Sequence, residues 1–509
     1  MFRALTAAQA RIVEERAVAE QGISLAALMR AAGAAVAREL AARVPEGDLV
    51  VLAGPGNNGG DGWAAAHDLH AAGREVRVLS TQDPDAHAGI AADAAREAIA
   101  AGVAWRVPAE APTAGELSEA AGIVDALLGI GAAGALRDPL AAWVEAANSS
   151  GAFVLAVDTP TGIDVDTGAV PDSAIVADCT VTFTSPKLGL LVYPAASHVG
   201  EIVVADIGIA EALTDVACAP EVWVAEDYAA LLPLPAPDAH KDSRGRVLIV
   251  AGSGAFPGAA VLATRGAMRA GAGYVTLAVP QSIVPVVQAH LVAAPVVGLP
   301  QGRTHALSSA AASKLLQLAL EYDAVVLGPG LTLADGAVAT VRSLVAGIGV
   351  PLVVDADGLN ALVDAQELIA LRTAPTVLTP HPGELARLLG VTGAQVQADR
   401  VSSSDKLASA TCAVVLKGAG TVISGEGRQV INVSGTPALA TAGTGDVLAG
   451  VVGALLAQGL GALDAAALAA YVHGRAGEAA ASALTPVSVT AEDIPSFLPT
   501  AFGELLGQW

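Results

Sequence analysis

The chain has 509 residues, more than one ordinary core accommodates and enough for two or three domains. Hydrophobic residues make up 53% and charged residues only 15%, which excludes an extended disordered protein. The net charge of −23 argues against nucleic-acid binding, because few cations are present to replace the counterions of a phosphate backbone.

The cellular location follows from the cysteines and the amino terminus. The three cysteines are far apart, which fits a reducing compartment. Glu14, Glu15 and Arg16 stand where a signal peptide would be apolar, so we expect a cytoplasmic protein. The longest apolar run, residues 447–463, is rich in Gly and Ala. We therefore expect it to form a buried helix, with no membrane span.

The predicted elements begin with two helices. Thr6 and Gln9 have the spacing of a capping box for the first helix, and Ser24 precedes a second helix that extends to Val44. Short apolar runs then alternate with alanine-rich helical stretches, which is typical of a parallel sheet covered on both faces. The runs are Leu49–Ala53, Val76–Leu79, Ile123–Leu128, Phe153–Val157, Val181–Phe183 and Ile202–Ala205.

The composition changes near residues 218–245, where Leu231–His240 holds three prolines that a helix or a central strand would not tolerate. A second alternating series follows and ends in an apolar helix. Its runs are Val247–Ala251, Tyr274–Val279, Ala324–Leu327, Leu352–Val354, Val377–Leu378, Val414–Leu416 and Val430–Val433. We predict two tandem α/β domains, residues 1–218 and residues 225–509.

A glycine-rich stretch, Gly54–Gly62, follows the first strand and precedes a predicted helix, Trp63–Ala72. It contains the pattern G-x-G-x-x-G. The acidic residue that a dinucleotide fingerprint requires comes late, because the next strand ends near Ser80 and the nearest acid is Asp83. The stretch therefore indicates a more specialised site. The alternative is a turn that serves only chain reversal.

Polar side chains follow the next strand ends. Asp125 ends the third strand of the first series, and Asp158 and Thr161 follow the fourth. Ligands of open parallel sheets bind beyond these carboxyl ends. The side-chain oxygens of Asn58, Asp125 and Thr161 suit a hard cation. Each carboxylate taken singly is equally explained by a capped turn.

The motifs GPGNNGGDG, VDALLGIG, VDTPTGID and TSPKLGLL, in this order, resemble the NAD(P)H-hydrate epimerase family over nearly all of residues 1–215. The resemblance implies a Rossmann-like domain that inverts the hydroxyl-bearing carbon of a hydrated nicotinamide ring. It implies that Asp158 is the acid–base residue and that Asn58, Asp125 and Thr161 bind K⁺. The substrate-binding residues that it implies are Asn57, Asn58, Gly59, Gly60, Asp61, Gly129, Ile130, Gly131, Ala132, Ala133, Gly134, Ala135 and Asp158.

The second domain ends its strand series at Gly443–Asp446, where a glycine turn opens the apolar helix. Unpaired N–H groups and the helix dipole make such a start an anion site. Asp446 would repel a phosphate there, so it either takes a proton from an attacking hydroxyl or caps the helix. Lys417–Thr421 offers a charge and backbone N–H groups to phosphates. Asp355 and Asp357 either bind Mg²⁺ or cap a turn.

The motifs HK…G, AGS…PGAA, GPG, DADGLN, LTPHPGE, LKGAGT and TAGTGD resemble the ribokinase-like superfamily and, within it, the ADP/ATP-dependent NAD(P)H-hydrate dehydratases. The resemblance covers about residues 225–505 and implies Mg²⁺ with ADP or ATP. The nucleotide-binding residues that it implies are Lys417, Gly418, Ala419, Gly420, Thr421 and Gly445. The implied contacts to the hydrate are Ala259, Gly330, His381 and Asp446, the last of which is the catalytic base.

Together the two resemblances imply a bifunctional repair enzyme. It would interconvert the R and S forms of NADHX and NADPHX and dehydrate the S form with ADP or ATP. We expect these small molecules as partners, a homo-oligomer, and neither nucleic acid nor membrane. The alternatives are a small-molecule kinase with a stable phosphorylated product and a non-catalytic nucleotide sensor. Ring opening and loss of hydroxide both remain open as routes of epimerisation.

Overall fold

The computed structural model describes residues 1–132 and 134–507. The chain divides into an amino-terminal domain, Phe2–Pro220, and a carboxyl-terminal domain that begins at Glu221. Each domain has helices on both sides of a largely parallel sheet, which confirms the predicted α/β class. Among the described residues, no helix is both long and apolar enough to cross a bilayer.

The strands described in the amino-terminal domain are β1 (Phe2–Arg3), β2 (Leu49–Ala53), β3 (Val76–Ser80), β4 (Ala104–Arg106), β5 (Gly122–Ala126), β6 (Phe153–Val157), β7 (Cys179–Phe183) and β8 (Glu201–Ala205). Seven of them form an all-parallel sheet in the order β4-β3-β2-β5-β6-β7-β8. Sequence analysis predicted β2, β3 and β5 to β8. It missed the edge strand β4, whose three residues are exposed and form no apolar run.

The helices of this domain include both predicted amino-terminal ones. They are α1 (Ala7–Arg16), α2 (Leu25–Arg43), α3 (Asn57–Ala71), α4 (Gly89–Ala100), α5 (Ala114–Leu117) and α6 (Leu140–Asn148). The capping box of α1 is confirmed. The Thr6 hydroxyl accepts a hydrogen bond from the Gln9 N–H (3.2 Å), and the Thr6 N–H donates to the Gln9 side chain (2.9 Å). Ser24 caps α2 as expected.

Helix α3 begins at Asn57, so the prediction that it starts at Trp63 was wrong. The low helix propensity of glycine suggested a turn, but these glycines allow close packing. A Cβ on Gly59 would lie 2.0 Å from the Gly54 carbonyl oxygen, and a Cβ on Gly62 would lie 2.5 Å from the Ala126 Cβ. The glycine-rich stretch therefore forms the start of a helix that lies directly against the sheet.

The strands of the carboxyl-terminal domain are β9 (Glu221–Val222), β10 (Arg246–Val250), β11 (Tyr274–Pro280), β12 (Val296–Leu299), β13 (Ala324–Leu327), β14 (Leu352–Val354), β15 (Thr376–Leu378), β16 (Cys412–Leu416), β17 (Thr421–Gly425) and β18 (Arg428–Asn432). Their order within the domain is β9-β18-β17-β16-β15-β14-β13-β10-β11-β12. Strand β17 runs antiparallel to both neighbours, and the other pairs are parallel. Alternate residues of β10 belong to different cores: Val247 and Ile249 to one, Leu248 and Val250 to the other.

The helices described in this domain are α7 (Ala225–Ala229), α8 (Pro257–Arg269), α9 (Val284–His290), α10 (Ala311–Ala319), α11 (Asp335–Gly347), α12 (Asp357–Asn360), α13 (Glu367–Ala370), α14 (Pro382–Leu389), α15 (Gly393–Ala398), α16 (Arg400–Asp405), α17 (Thr444–Ala457), α18 (Ala462–Leu484) and α19 (Ile494–Leu505). Helices α8 and α17 pack with their backbones in contact. A Cβ on Gly450 would lie 2.0 Å from the Ala263 carbonyl oxygen, and one on Gly266 would lie 2.4 Å from that of Val447.

Two candidate active sites

The amino-terminal site is centred on Asp158, directly after β6. Its Oδ1 accepts hydrogen bonds from the Thr182 hydroxyl and the Phe183 N–H, both at 3.2 Å, and forms an ion pair with Nζ of Lys187. Lys187 is 3% exposed, and its Nζ also donates to the Thr182 hydroxyl (3.1 Å). The two buried charges therefore compensate each other. Sequence analysis missed this role of Lys187, although the lysine stands in the motif TSPKLGLL.

The backbone at this site is strained. Asp158 has a φ of 62° and Thr184 a φ of 66°. Each is the middle residue of a γ-turn, because the next N–H donates to the carbonyl of the preceding residue at 2.7 Å. Such conformations cost about 1–3 kcal/mol and are typical of functional sites. Within the described part of the chain, the buried hydroxyls of Thr159 and Thr184 have no hydrogen-bond partner, which leaves polar atoms for a ligand.

The three predicted K⁺ ligands converge on one loop. The Thr161 hydroxyl donates to Oδ1 of Asp125 (2.7 Å) and accepts from the Leu128 N–H (3.0 Å). The Asn58 amide donates to the Leu128 carbonyl oxygen (3.0 Å). Burial raises the pKa of Asp125 to about 6, and hydrogen bonds from Thr161 and Leu127 oppose that shift. The structure therefore brings the side chains of Asn58, Asp125 and Thr161 to the same loop.

The predicted substrate residues lie at the start of α3 and on the loop after β5. Asn57–Asp61 begin α3, where the first N–H groups lack partners within the helix. A Cβ on Gly129 would lie 3.1 Å from the Asn58 Cβ, so Gly129 lies against that start. Ala133 is outside the described residues. Burial raises the pKa of Asp61 well above its usual value, and the nearby Asp158 carboxylate raises it further.

The carboxyl-terminal site is centred on the first turn of α17. Gly443, with a φ of 98°, is the residue that precedes the helix, and no side chain caps it. The alternative in which Asp446 caps the helix is therefore wrong. The left-handed Gly443 starts the helix at Thr444, which places Asp446 inside the first turn. Among the described residues, the Asp446 carboxyl group has no hydrogen-bond or ion-pair partner. Burial, followed by the Asp355 carboxylate, raises the pKa of Asp446 to about 7.

Lys417 lies between the strand ends and α17. Its Nζ is 2.8 Å from Oδ1 of Asp355 and 3.9 Å from a carboxylate oxygen of Glu384. A Cβ on Gly445 would lie 3.2 Å from this Nζ, so the ammonium group borders the helix start. Burial acts to lower the pKa of Lys417, but Asp355 and Glu384 raise it above its usual value. The lysine therefore stays charged beside the anion-binding end of α17.

Arg400 fixes the loop that carries Lys417, and sequence analysis did not identify it. It is 5% exposed, and its Nη2 donates to the carbonyl oxygens of Leu416 (3.0 Å), Lys417 (3.3 Å) and Gly420 (3.3 Å). The N–H groups of residues 418–420 donate to no group in the described structure. Arg400 thus binds the carbonyl oxygens of this loop, and the N–H groups of residues 418–420 stay available to an anion.

The predicted hydrate contacts fall into two groups. A Cβ on Gly330 would lie 3.0 Å from the Ala259 Cβ, so these two residues are neighbours. His381 precedes α14, where its Nδ1 accepts a hydrogen bond from the Gly383 N–H (3.0 Å). Its Nε2 is 3.5 Å from Glu384, the same glutamate that approaches Lys417. His381 is therefore linked to Lys417 through Glu384. Ala259 and Gly330 lie next to each other.

Asp355 and Asp357 differ in their surroundings. Asp355 is 1% exposed and accepts hydrogen bonds from Lys417 and from the Thr379 hydroxyl (2.7 Å). Asp357 accepts one bond, from the Thr332 N–H (2.8 Å), on a single carboxylate oxygen. The turn-capping alternative is thus wrong for Asp355, whose side chain forms an ion pair with Lys417. Asp357 connects two loops and keeps its second oxygen without a partner in the described structure.

His473 supports the start of α17 from the next helix. Its Nε2 donates to the Thr444 carbonyl oxygen at 3.0 Å, and the ring is buried. Burial lowers the pKa of His473 to about 4, so the ring remains neutral near pH 7. The Thr444 hydroxyl in turn donates to the Leu439 carbonyl oxygen (2.9 Å). These contacts hold the turn that carries Asp446.

The fold and the two sites define a tandem α/β enzyme with a parallel-sheet first domain and a ribokinase-like second domain. The family described as "NAD(P)H-hydrate dehydratase" matches residues 247–500, and the family described as "YjeF-related protein N-terminus" matches residues 25–189. A crystal structure of the ADP/ATP-dependent NAD(P)H-hydrate dehydratase from Bacillus subtilis is similar to the second part. It is 30% identical with a TM-score of 0.50, and the match covers 56% of this chain and 99% of that one.

Relatives match over the whole length. The bifunctional NAD(P)H-hydrate repair enzyme of Thermofilum pendens is 39% identical over 97% of this chain and 95% of its own. That of Moorella thermoacetica is 38% identical over 97% of this chain and 96% of its own. The chain belongs to the family of bifunctional NAD(P)H-hydrate repair enzymes, which confirms the interpretation as a bifunctional epimerase and dehydratase.

Proposed function

We propose that Asp446 is the catalytic base of the dehydratase domain and Asp158 the acid–base residue of the epimerase domain. The dehydratase domain then corresponds to residues 225–509 and the epimerase domain to residues 1–218. The observation that carries the proposal is the Asp446 carboxyl group. It has no partner in the described structure, it stands at the glycine-opened start of α17 beside Lys417, and its pKa is about 7. A base with a pKa near the working pH is efficient in proton transfer.

In the dehydratase domain, Asp446 takes the proton of the ring hydroxyl of the S hydrate. The hydroxyl oxygen forms a bond to the terminal phosphorus of ADP or ATP as the phosphoanhydride bond breaks, which releases AMP or ADP. Phosphate then leaves with the electrons of its bond to the ring carbon. Loss of a proton from the neighbouring ring carbon completes the dihydropyridine of NADH or NADPH. Phosphate is a far better leaving group than hydroxide.

The nucleotide is held by groups that the structure leaves available. The N–H groups of residues 418–420, Gly445 and the start of α17 suit its phosphates, and Lys417 adds a positive charge. Ala259, Gly330 and His381 contact the hydrate. Mg²⁺ accompanies the nucleotide and neutralises phosphate charge. Asp357 suits Mg²⁺, because one of its carboxylate oxygens has no described partner.

In the epimerase domain, Asp158 exchanges a proton with the ring hydroxyl of NADHX or NADPHX. Asn57–Asp61 and Gly129–Ala135 hold the substrate, with N–H groups at the start of α3 facing its phosphates. K⁺ suits Asn58, Asp125 and Thr161, because these three side chains, each of which carries an oxygen atom, reach the same loop. When bound, K⁺ supplies a fixed positive charge beside the substrate loop.

The setting of the enzyme is also part of the proposal. We propose a cytoplasmic homo-oligomer that acts on small molecules. Cys179, Cys218 and Cys412 form no disulfide bond with one another, which supports a reducing compartment. Light scattering of the purified chain measures the oligomeric state directly, and a monomer at working concentration would contradict that part.

The decisive experiment is mass spectrometry after incubation of the full chain with NADHX, Mg²⁺ and either ADP or ATP. We expect NADH and free phosphate, with AMP from ADP or ADP from ATP. A persistent phosphorylated hydrate would instead identify a small-molecule kinase, and the absence of turnover with either nucleotide would favour the sensor. Comparison of the two initial rates determines which nucleotide is the better donor.

A further inference from the structure

The epimerase site needs more than one proton-transfer group. Inversion at the ring carbon requires the ring oxygen to gain a proton in one step and lose one in another. Asp158 forms an ion pair with the buried Lys187, so it suits the role of proton acceptor. On the route through hydroxide loss the ring oxygen gains its proton first, so a second group must supply it.

Helix α1 is attached beside this ion pair. The Leu5 N–H donates to the Pro186 carbonyl oxygen, and the Leu188 N–H donates to the Leu5 carbonyl oxygen, both at 2.9 Å. These bonds place the segment before α1 alongside the backbone of Lys187. The first N–H of α1, that of Ala7, is bound by Asp166 at 2.6 Å. The start of α1 is therefore fixed next to the lysine that pairs with Asp158.

Further along, α1 reaches Ile130 and Gly131 in the loop after β5, which belong to the predicted substrate-binding residues. Its apolar face, which includes Ala10 and Val13, packs in a cluster against which Ile130 of that loop also packs. A Cβ built on Gly131 would lie 3.4 Å from Nη2 of Arg11. The helix and the segment before it therefore border both the backbone beside Lys187 and the loop residues Ile130 and Gly131.

Glu14 is one helical turn beyond Arg11 and shares its face of α1. The residue as a whole is exposed, but its carboxyl group is close enough to the protein that burial raises its pKa, and the Asp158 carboxylate raises it further. Within the described residues, no hydrogen bond or ion pair engages this carboxyl group. The charges of Asp158, Lys187, Arg11 and Glu15 act on the pKa of Glu14. The charge of Glu14 in turn raises the pKa of Asp61.

We propose that Glu14 of α1 is the proton donor of the epimerase site and works together with Asp158 as the acceptor. The proposal rests on the epimerase function proposed above and extends it to a helix that lies before the family match at residues 25–189. Asp61 also has a raised pKa, but it is less exposed than Glu14. Solvent access favours Glu14, because the donor must recover its proton from water after each turnover.

Protons and electrons balance on both routes. Along hydroxide loss, Glu14 gives its proton to the ring hydroxyl, and the C–O bond breaks to release water while the nitrogen lone pair forms a C=N bond. Water then adds to the opposite face and gives a proton to Asp158. Along ring opening, Asp158 takes the hydroxyl proton, the oxygen forms a C=O bond, and the electron pair of the breaking C–N bond goes to the ring nitrogen, which uses it to re-form that bond on closure. Glu14 returns one to the oxygen on closure. Solvent resets both carboxyl groups.

The test compares E14Q and E14D with E15Q, a neighbouring exposed glutamate on α1, in the full chain. Epimerisation of pure R-NADHX is followed by chromatography across pH, after subtraction of the uncatalysed rate. We expect E14Q to lower kcat about 10²-fold with little change in KM, and to remove the fall in rate at alkaline pH, which reports loss of the donor's proton. E14D should keep this alkaline fall, and E15Q should behave as the wild type. Dehydration of S-NADHX by the same chains checks that the protein is intact.

The outcomes separate the two proposals. A wild-type kcat in E14Q would overturn the role of Glu14, as would a lower kcat with an unchanged pH profile. Loss of the alkaline fall in D61N but not in E14Q would reassign the donor to Asp61. Failure of the wild-type chain to epimerise NADHX would contradict the epimerase function itself.

Discussion

Each domain places a lysine beside an aspartate that follows a parallel strand, but Lys187 is buried, Lys417 is half-buried, and the two lysines have different partners. Lys187 pairs with Asp158, the residue proposed to act on the substrate. Lys417 pairs with Asp355 and leaves Asp446 without a partner in the described structure. The same two residue types therefore give a neutralised carboxylate in one site and an unpaired carboxyl group with a pKa of about 7 in the other.

The difference fits the chemistry of each site. Loss of hydroxide leaves a positively charged ring, and a carboxylate that is already ionised can face it without first losing a proton. The role proposed for Asp446 places it beside phosphates, where a permanently charged carboxylate would repel the nucleotide. A raised pKa lets Asp446 be neutral while the nucleotide binds, and it makes the ionised form a stronger base, which becomes neutral again when it receives the hydroxyl proton. Substitutions at the four positions below test the two sites.

The largest effect is expected for Asp446→Asn. The amide is nearly isosteric but does not act as a base, so dehydration of S-NADHX with ADP should fall about 10³-fold. NADH formation measures this rate, and epimerisation of R-NADHX by the same protein is the control. Loss of both activities would contradict the assignment of one reaction to each domain.

Asp158→Asn is the counterpart in the other domain, with an expected loss of about 10²-fold in epimerisation. The assay starts from the R epimer alone, because the S epimer would be dehydrated directly. Dehydration of pure S-NADHX should keep its wild-type rate. If epimerisation survived, the ion pair with Lys187 would be purely structural.

Lys417→Met tests the site of Asp446 through the pH dependence of dehydration. Ionised Asp446 is the active form, so wild-type dehydration should rise with pH through about 7. The Lys417 charge lowers the pKa of Asp446, and its removal should move this rise to higher pH. The KM for the nucleotide should increase about tenfold, because a charge-assisted contact to phosphate is lost. An unchanged profile would show that Lys417 does not act on Asp446. R-NADHX epimerisation is the control.

The smallest effect is expected at Thr161. Thr161→Ser keeps the hydroxyl that bonds Asp125, so epimerisation and its response to K⁺ should stay as in the wild type. Thr161→Val removes that hydroxyl and should abolish the K⁺ response, with a loss in stability of about 1 kcal/mol. The readouts are epimerisation rates in KCl and in NaCl, together with thermal unfolding. An identical K⁺ response in the valine variant would contradict the proposed ligand set.

Sequence predicted the fold wherever a strand is buried on both faces, as at Leu49–Ala53 and Ala324–Leu327. It missed the exposed β4 and the partly exposed β12, which stand at sheet edges, the two-residue strands β1 and β9, and β17, whose sequence TVISG has only two consecutive apolar residues. Exposed or short strands lack the continuous apolar run on which such predictions depend. The start of α3 was misplaced because glycine was interpreted as a turn former, while its effect here comes from tertiary packing.

The predicted site residues came from motifs, and the structure added what joins them. Asp158 and Lys187 are separated by many residues and meet only because β6 and β7 are neighbours in the sheet. Arg400 has no motif of its own, since it acts through carbonyl groups that every residue possesses. Partners of this kind follow from strand order, which residue patterns alone do not specify.

The direct contact between the backbones of α8 and α17 restricts how this enzyme can be altered. With Gly266 and Gly450 at the crossing, no side chain separates the helices that carry Ala259 and Asp446. Substitutions elsewhere on the two helices should therefore leave the spacing between Asp446 and Ala259 unchanged. Engineering of the dehydratase toward larger hydrated cofactor analogues must begin in the loops, at His381 or at Phe256, whose Cβ would lie 2.8 Å from a Cβ built on Gly330.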